Sequence, residues 1–130
     1  MLQRDYLMRI IERAVAALAR ALGRRDEGEL ELALDQIGEA YDAVLKFDRQ
    51  MLEVLDPSTL VAMLGEAQLV RMVARISVLE GEIREQADAP REARACFRRA
   101  LALYGSVGLG DEPEDRDGAA KLAARFRRPQ

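Results

Sequence analysis

Residues 74–105, with the sequence ARISVLEGEIREQADAPREARACFRRALALYG, decide the fold. On both sides of the short stretch at residues 87–89, apolar side chains recur every three or four residues, which is the spacing of an amphipathic helix. Pro90 suits the start of the second helix, because proline has no amide hydrogen to leave unbonded in the first turn. The stretch therefore predicts a hairpin of two helices, one over residues 66–86 and one from Pro90 to about Tyr104.

The small and aromatic residues of this hairpin have the spacing of a tetratricopeptide repeat, which the stretch resembles. Gly81 is expected to leave room where Ala93 crosses, and Phe97 to fill the space between this pair of helices and the next. The repeat-packing residues are Gly81, Ala93, Phe97 and Ala100. Where the repeat has tryptophan, tyrosine and a terminal proline, this chain has Ser77, Arg84 and Gly105. An ordinary hairpin in a helical bundle needs small residues for the same reason and is the alternative.

A shift of sixty residues places Ala33, Ile37 and Ala40 where the second helix of this hairpin has Ala93, Phe97 and Ala100, which indicates a degenerate earlier repeat. The opening residues 5–12, DYLMRIIE, together with the repeat-like second half, also resemble a small uncharacterised bacterial family of helical proteins. That resemblance covers residues 2–108 and implies a bacterial helical protein, but no activity.

The tetratricopeptide resemblance also implies a possible partner surface. Some domains of that family hold a partner's terminal carboxylate with lysine, asparagine and arginine on the inner face of their first helices. The matching inner positions here include Arg75, Val78, Glu82 and Glu85. Since one cation and two carboxylates form a poor clamp for a carboxylate, the resemblance implies a groove for an apolar or basic segment.

Composition extends the helical prediction to the whole chain. Alanine and leucine make up 39 of the 130 residues, whereas valine, isoleucine and threonine contribute only 14. Apolar periodicity predicts further helices over residues 2–22, 30–45, 57–64 and 115–127. Gly23 and residues 24–29, with Gly28 as the flexible point, are expected to end the first helix, and Gly105, Gly108 and Gly110 are expected to end the helix that begins at Pro90. The expected fold is all-α, an antiparallel array of five or six helices, either a short tetratricopeptide-like solenoid or a bundle. Residues 1–110 would form the tetratricopeptide-like domain and residues 111–130 a C-terminal capping helix.

The last predicted helix has one apolar and one basic side. Phe126 is expected to anchor it against the preceding hairpin, since helical arrays need a final element that shields their edge. The competing hypothesis is a tethered helix that lies in the chain's own groove and leaves when a partner arrives. The apolar side comprises Ala119, Leu122, Ala123 and Phe126, and the solvated side and end comprise Lys121, Arg125, Arg127 and Arg128.

Composition excludes several classes of function. The chain has no histidine, one cysteine and no tryptophan, which excludes histidine-dependent triads, histidine metal sites, zinc fingers and disulfide frameworks. Its longest apolar run, residues 14–19, is too short for a membrane span or a secretory signal. The net charge of −3 gives no argument for nucleic acid or membranes. We therefore expect a cytoplasmic protein with no catalytic residues, no cofactor and no metal.

Three clusters have both a functional and an ordinary interpretation. An acidic stripe of Glu31, Asp35, Glu39 and Asp42 follows one side of the second helix, and it either pairs with the arginine-rich first helix or meets a basic partner. Cys96 is flanked by arginines, which lower a thiol pKa, but a small residue at a helix contact explains it as well. The face formed by Arg91, Arg94 and Arg98 is either solvated or binds an acidic group.

The function expected from these observations is a non-catalytic protein–protein interaction module that binds a protein or peptide. The alternative is an obligate homodimer with a structural role, because two repeat-like hairpins are fewer than the three that usually bury a solenoid core. Such a dimer would pair through the apolar flank of the first helix. The residues expected there are Tyr6, Leu7, Ile10 and Ile11.

Overall fold

The computed structural model describes residues 3–127, and over that range the chain is helical with no strand. Its α-helices are α1 (Arg4–Asp26), α2 (Leu30–Val44), α3 (Pro57–Leu64), α4 (Ala67–Gln86), α5 (Pro90–Val107) and α6 (Pro113–Phe126), and a 3-10 turn (Arg49–Glu53) precedes α3. The prediction of an all-α chain of five or six helices is confirmed. None of the helices within residues 3–127 combines the length and apolar character needed to cross a bilayer.

The centre of the molecule is α4, which contacts every other α-helix. Two helical hairpins, α1 with α2 and α4 with α5, pack side by side through α2 and α4, while α3 lies against α4 and α5. Because α4 is covered on several sides, it has apolar residues around most of its circumference, and Val73, Ala74 and Ile76 are fully buried. This arrangement leaves α1 on one side of α4 and α6 on the other.

The predictions that Gly23 and Gly105 end helices are wrong. Both glycines lie inside helices, α1 and α5, because a single glycine within a helix costs only about 1 kcal/mol. α1 ends at Asp26 and α5 at Val107, just before Gly28 and Gly108, two glycines that the prediction also named. Their φ angles of 77° and 74° belong to the left-handed region that favours glycine. The predicted helix start at Leu2 lies outside the described residues.

The packing residues of the predicted repeat all lie in the α4–α5 hairpin and are buried. Ala93 and Ala100 are 1% and 0% exposed. The closest approach to Gly81 is made by the ring of Phe97, since a Cβ atom on Gly81 would lie 2.5 to 2.8 Å from three ring carbons. The Phe97 ring therefore fills the space that Gly81 leaves. The sequence spacing had predicted that Ala93 would cross at this point.

Candidate interaction groove

A groove of about 1010 Å³ runs along the molecule between α1 and α6, with α4 as its floor. The wall formed by α1 is apolar for most of its length, whereas the opposite wall, formed by residues 109–112 and α6, carries most of the charge. From α1 the lining residues are Met8, Ile11, Val15, Leu18, Ala19, Leu22 and Arg25. From α4 they include Gln68, Arg71, Met72, Arg75, Val78, Leu79 and Glu82, and from the opposite wall Leu109, Asp111, Glu112, Glu114, Asp115, Asp117, Gly118 and Lys121.

The α1 wall carries an apolar stripe that the other residues of the range 3–127 cover only in part. Its members alternate in steps of three and four residues, the spacing with which one helix packs along another. Three of them are nearly half exposed, with Met8 and Val15 each at 45% and Leu22 at 42%. The stripe consists of Met8, Ile11, Val15, Leu18 and Leu22.

Sequence reasoning missed this stripe as a surface. The apolar periodicity of residues 2–22 does not separate Val15, Leu18 and Leu22 from Ala14 and Ala21, and only the two alanines prove to be fully buried. Apolar residues occupy a wider arc around α1 than one buried face needs. Met8 extends this arc and is the signal in the sequence that could have revealed a second apolar face. In the expected dimer surface, Ile10 is buried in the chain's own core, whereas Tyr6 is exposed and lies beneath the Lys46 amine.

The four residues expected to form a partner surface are all contacted by α6. Arg75 donates to Asp115 at 3.0 Å, and Val78 packs against Gly118, where a Cβ atom would lie 3.7 Å away. Lys121 donates to Glu82 at 3.2 Å, and Arg125 to Glu85 at 2.8 Å. Arg75, Val78 and Glu82 also line the groove, but Glu85 does not. The chain's own last helix thus occupies the positions that the sequence predicted for a partner.

Asp115 anchors α6. Its side chain is 1% exposed and accepts hydrogen bonds from both Arg75, at 3.0 and 3.3 Å, and the Tyr104 hydroxyl, at 2.7 Å. Burial, together with the hydrogen bond to the Asp115 carboxylate, raises the pKa of Tyr104, so the hydroxyl keeps its proton and donates it. A carboxylate with three such donors fixes the start of α6 on both α4 and α5.

Phe126, the expected anchor of α6, packs against the core but stays partly exposed, whereas Leu122 on the same apolar side is 1% exposed and more deeply buried. The basic side also differs from the prediction. Lys121 and Arg125 are paired with glutamates of α4, and Arg125 stacks 4.4 Å from the centre of the Phe97 ring. Arg127 is exposed, and Arg128 lies outside the described residues. Phenylalanine is the largest apolar residue of α6, but the position of each residue on the helix determines how deeply it is buried, and Leu122 lies at the more central position.

The two ends of the groove differ in charge. At one end, Glu82 on the floor pairs with both Arg25 of α1, at 3.7 Å, and Lys121 of α6. This three-residue bridge joins both walls to the floor and closes that end. At the other end, where Met8 and Gln68 lie, the rim formed by residues 111–114 carries exposed carboxylates. The groove is therefore closed at one end and acidic at the other.

A buried polar network joins α2, α4 and α5 on the far side of the molecule from the groove. The Tyr41 hydroxyl donates to Glu80 at 2.6 Å and accepts from Arg99 at 2.8 Å, and Arg84 donates to the second carboxylate oxygen of Glu80 at 2.9 Å. Arg99 also donates to Ser77 at 3.0 Å. Within residues 3–127, every buried side-chain polar atom has a hydrogen-bond partner, so this network contains no orphaned buried polar group.

The same network determines the state of Cys96. Burial, and next the negative charge of Glu80, raise the pKa of the Cys96 thiol to about 12, although Arg99 acts in the opposite direction. The thiol is therefore protonated at neutral pH, the opposite of the thiolate that its arginine neighbours suggested. Its position, 4% exposed, agrees with packing at a helix contact.

The network also makes a prediction about acid stability. Burial alone would raise the pKa of Glu80, but the hydrogen bonds from Tyr41 and Arg84 and the charge of Arg99 hold it below its usual value. A carboxylate with a lowered pKa stabilises the fold above its unfolded-state pKa, near about 4.3, and this stabilisation is lost as the pH falls through the folded-state value. Glu80→Gln should therefore lower the free energy of unfolding by about 1.5 kcal/mol at pH 7 and by less in acid.

Urea titrations at several pH values measure this effect. Glu31→Gln is the matched control, because Glu31 is an exposed glutamate without a paired cation in residues 3–127. If the difference in the free energy of unfolding between wild type and Glu80→Gln stays constant down to pH about 3, the network does not hold Glu80 ionised.

The acidic stripe and the arginine face both lie at exposed positions. In the acidic stripe, Glu39 lies 3.8 Å from Arg20 and Asp42 pairs with Arg49, both at exposed positions. No group of residues within 3–127 has the arrangement of a metal site. The Arg91, Arg94 and Arg98 face is exposed, and Arg94 lies over the Phe126 ring.

A second opening, of about 900 Å³, lies between α2, the 3-10 turn and α5. Its charged lining is nearly balanced, which favours no ionic ligand. The charged residues are Arg49, Arg84, Arg91, Arg99, Glu53, Glu80 and Glu92.

Comparisons with known proteins add no relative: no family model, no curated protein and no solved structure matches this chain significantly.

Proposed function

We propose that this chain is a non-catalytic protein–protein interaction module and that it binds a helical segment of another protein in the groove between α1 and α6. The observation that carries the proposal is the apolar stripe of α1, which the other described residues cover only in part. Three large side chains, spaced two helical turns apart, stand 42 to 45% exposed along a concave surface. An exposed apolar row inside a groove marks a surface that another element covers.

The spacing of the stripe favours a helix as the bound element. Steps of three and four residues present a straight row of side chains to a helix lying alongside, as in helix-in-groove recognition. The stripe from Met8 to Leu22 is about 21 Å long, which matches about four turns of a bound helix. An extended peptide would need a free sheet edge or polar backbone partners, and no strand occurs in residues 3–127.

The walls of the groove support binding without rearrangement. On the α6 side, Asp115, Lys121 and Arg125 tie the wall to α4 and α5 through paired charges. On the α1 side, Ala14, Ala17 and Ala21 are fully buried against the rest of the chain. A groove held by both walls costs less conformational entropy on binding than one that must form first. The proposal assigns no reaction to the chain, since its buried ionisable groups are paired with one another.

The tetratricopeptide resemblance is part of this proposal. In that arrangement α1 and α4 are the inner helices of two successive repeats and α6 is the capping helix. The groove then corresponds to the inner face on which repeat proteins hold their partners.

A homodimer is the second candidate, and the same stripe favours it. Twofold pairing is the commonest way in which soluble proteins bury an uncovered apolar surface. In that case Met8, Val15 and Leu22 would contact their counterparts in a second copy, and the groove would have no other occupant.

Site-specific photo-crosslinking in the producing cell tests the proposed function. A photoreactive residue is placed at Val15 inside the groove and, as the control, at Val54, which is 74% exposed and outside it. We expect a covalent adduct to a single segment of one partner protein from position 15 and none from position 54. The adducts are identified by peptide mass spectrometry.

Two results would overturn the proposal. Equal crosslinking from both positions would mean that the groove is not a specific surface. Adducts of the chain with itself from position 15, with a dimer mass in light scattering at micromolar concentration, would favour the homodimer instead.

A further inference from the structure

We infer that the groove takes an amphipathic helix whose apolar face is flanked by lysine or arginine. This inference rests on the proposed function and adds the chemistry of the partner. It follows from the distribution of unpaired charge around the apolar stripe.

The cations of the groove are engaged within the chain. Arg75 is held by Asp115, and Arg71 donates to the backbone carbonyls of Gly108 at 3.0 Å and Val107 at 3.2 Å. At the closed end, Arg25 and Lys121 share the Glu82 carboxylate. An acidic partner would therefore have to displace contacts that already exist.

The carboxylates at the open end form no ion pair with the cations of residues 3–127, although Glu114 lies near enough to Arg75 to add to the negative potential there. Asp111, Glu112 and Glu114 are exposed, and none of them pairs with a cation of residues 3–127. They line the groove opposite the apolar stripe, beside the first turns of α6. A helix whose apolar side packs on α1 would turn one flank towards these three carboxylates. Lysine or arginine on that flank would meet unpaired charge of the opposite sign, which gives specificity at an interface rim.

The shape of the groove disfavours a second copy of this chain as the occupant. A twofold interface uses the same patch on both molecules, so the patch must be complementary to itself. Here the stripe lines a concave surface, and a groove that faces its own copy meets another concavity. A separate helix is convex and fills it.

Two synthetic helical peptides test the inference. Both have about 15 residues and the same leucine and isoleucine face, which covers the length of the stripe, but one carries lysine and the other glutamate at every flanking position. Affinities for the full chain are measured by fluorescence anisotropy at low and high salt. We expect the lysine peptide to bind about tenfold more tightly, with a difference that shrinks as salt screens the rim.

A matched pair of charge reversals shows where the preference arises. The double variant Glu112→Lys with Glu114→Lys should remove the preference for the lysine peptide over the glutamate peptide. Glu31→Lys with Asp35→Lys changes the net charge equally, at exposed positions near the start of α2 and outside the groove, and should leave the preference unchanged.

The outcomes separate the two proposals. If both peptides bind equally, the groove accepts a helix and the inference about basic flanks is overturned. If the α2 reversals abolish the preference as well, it reflects net charge alone and the inference also fails. If neither peptide binds and the chain forms dimers through position 15, the proposed function itself is overturned.

Discussion

Replacing Asp115 by alanine should lower the free energy of unfolding by about 3 kcal/mol, because it leaves the Arg75 guanidinium and the Tyr104 hydroxyl without their acceptor. Removing one member of a buried ion pair costs about 3 to 5 kcal/mol, and the lower value applies because 18% of the Arg75 side chain reaches solvent. Denaturant titration monitored by circular dichroism measures the loss.

Asp117→Ala is the control for this prediction. Asp117 lies two residues further along the same helix and pairs with Lys121 at 3.3 Å, but its side chain is 68% exposed. An exposed pair one helical turn apart contributes only about 0.3 to 0.5 kcal/mol, so this variant should stay close to wild type. Equal losses in the two variants would mean that Asp115 owes its effect to helix propensity or to the helix dipole and not to its buried partners.

The same variant distinguishes a fixed cap from a displaceable helix. If α6 is part of the cooperative fold, Asp115→Ala lowers protection against hydrogen exchange in α4 and α5 as well as in α6. If α6 detaches on its own, only the amides of α6 lose protection and the global transition stays in place. We expect the first result, because Leu122, Gly118 and Asp115 are all buried against α4 and α5. A fixed α6 also agrees with its proposed role as one wall of a preformed groove.

The helices could be predicted from sequence because each one repeats an apolar residue every three or four positions. The exact ends of the helices were harder to predict, because glycine is typical of helix ends and yet Gly23 and Gly105 are accommodated within helices at small cost. Nothing in the sequence distinguishes these two residues from Gly28 and Gly108, the left-handed glycines beside which α1 and α5 do end. Which glycine adopts a positive φ depends on where the next helix must turn.

The groove was harder to predict than the helices. Apolar periodicity shows that a face is apolar but not whether anything covers it. It therefore does not separate Val15 and Leu22, of which about two fifths is exposed, from the buried Ala14 and Ala21. Burial of Asp115 could not be predicted either. It depends on Tyr104 and Arg75, which lie 11 and 40 residues away in sequence and come together only when α6 folds back over the α4–α5 hairpin.

Gly81→Leu should lower the free energy of unfolding by about 3 kcal/mol, at the upper end of the usual cost of overpacking. Even a single Cβ atom at this position would lie 2.5 Å from the Phe97 ring, and leucine adds three more carbons. The ring is 3% exposed and lies in the contact between α4 and α5, so it has little space into which to move. The melting temperature by differential scanning calorimetry, read alongside denaturant titration, measures the change.

Gly105→Leu is the matched substitution, since Gly105 lies within α5, is exposed, and has no atom within 4 Å of the position that a Cβ atom would take. Leucine at such a site should raise stability by about 0.5 to 1 kcal/mol, because it is a better helix former than glycine. The two glycine substitutions are expected to change stability in opposite directions because only Gly81 faces the Phe97 ring. Combining Gly81→Leu with Phe97→Ala should therefore lower the free energy of unfolding by less than the sum of the two single losses. Additive losses would show that the ring and the glycine are not coupled, and the close packing proposed for this hairpin would then have to rest on Ala93 and Ala100.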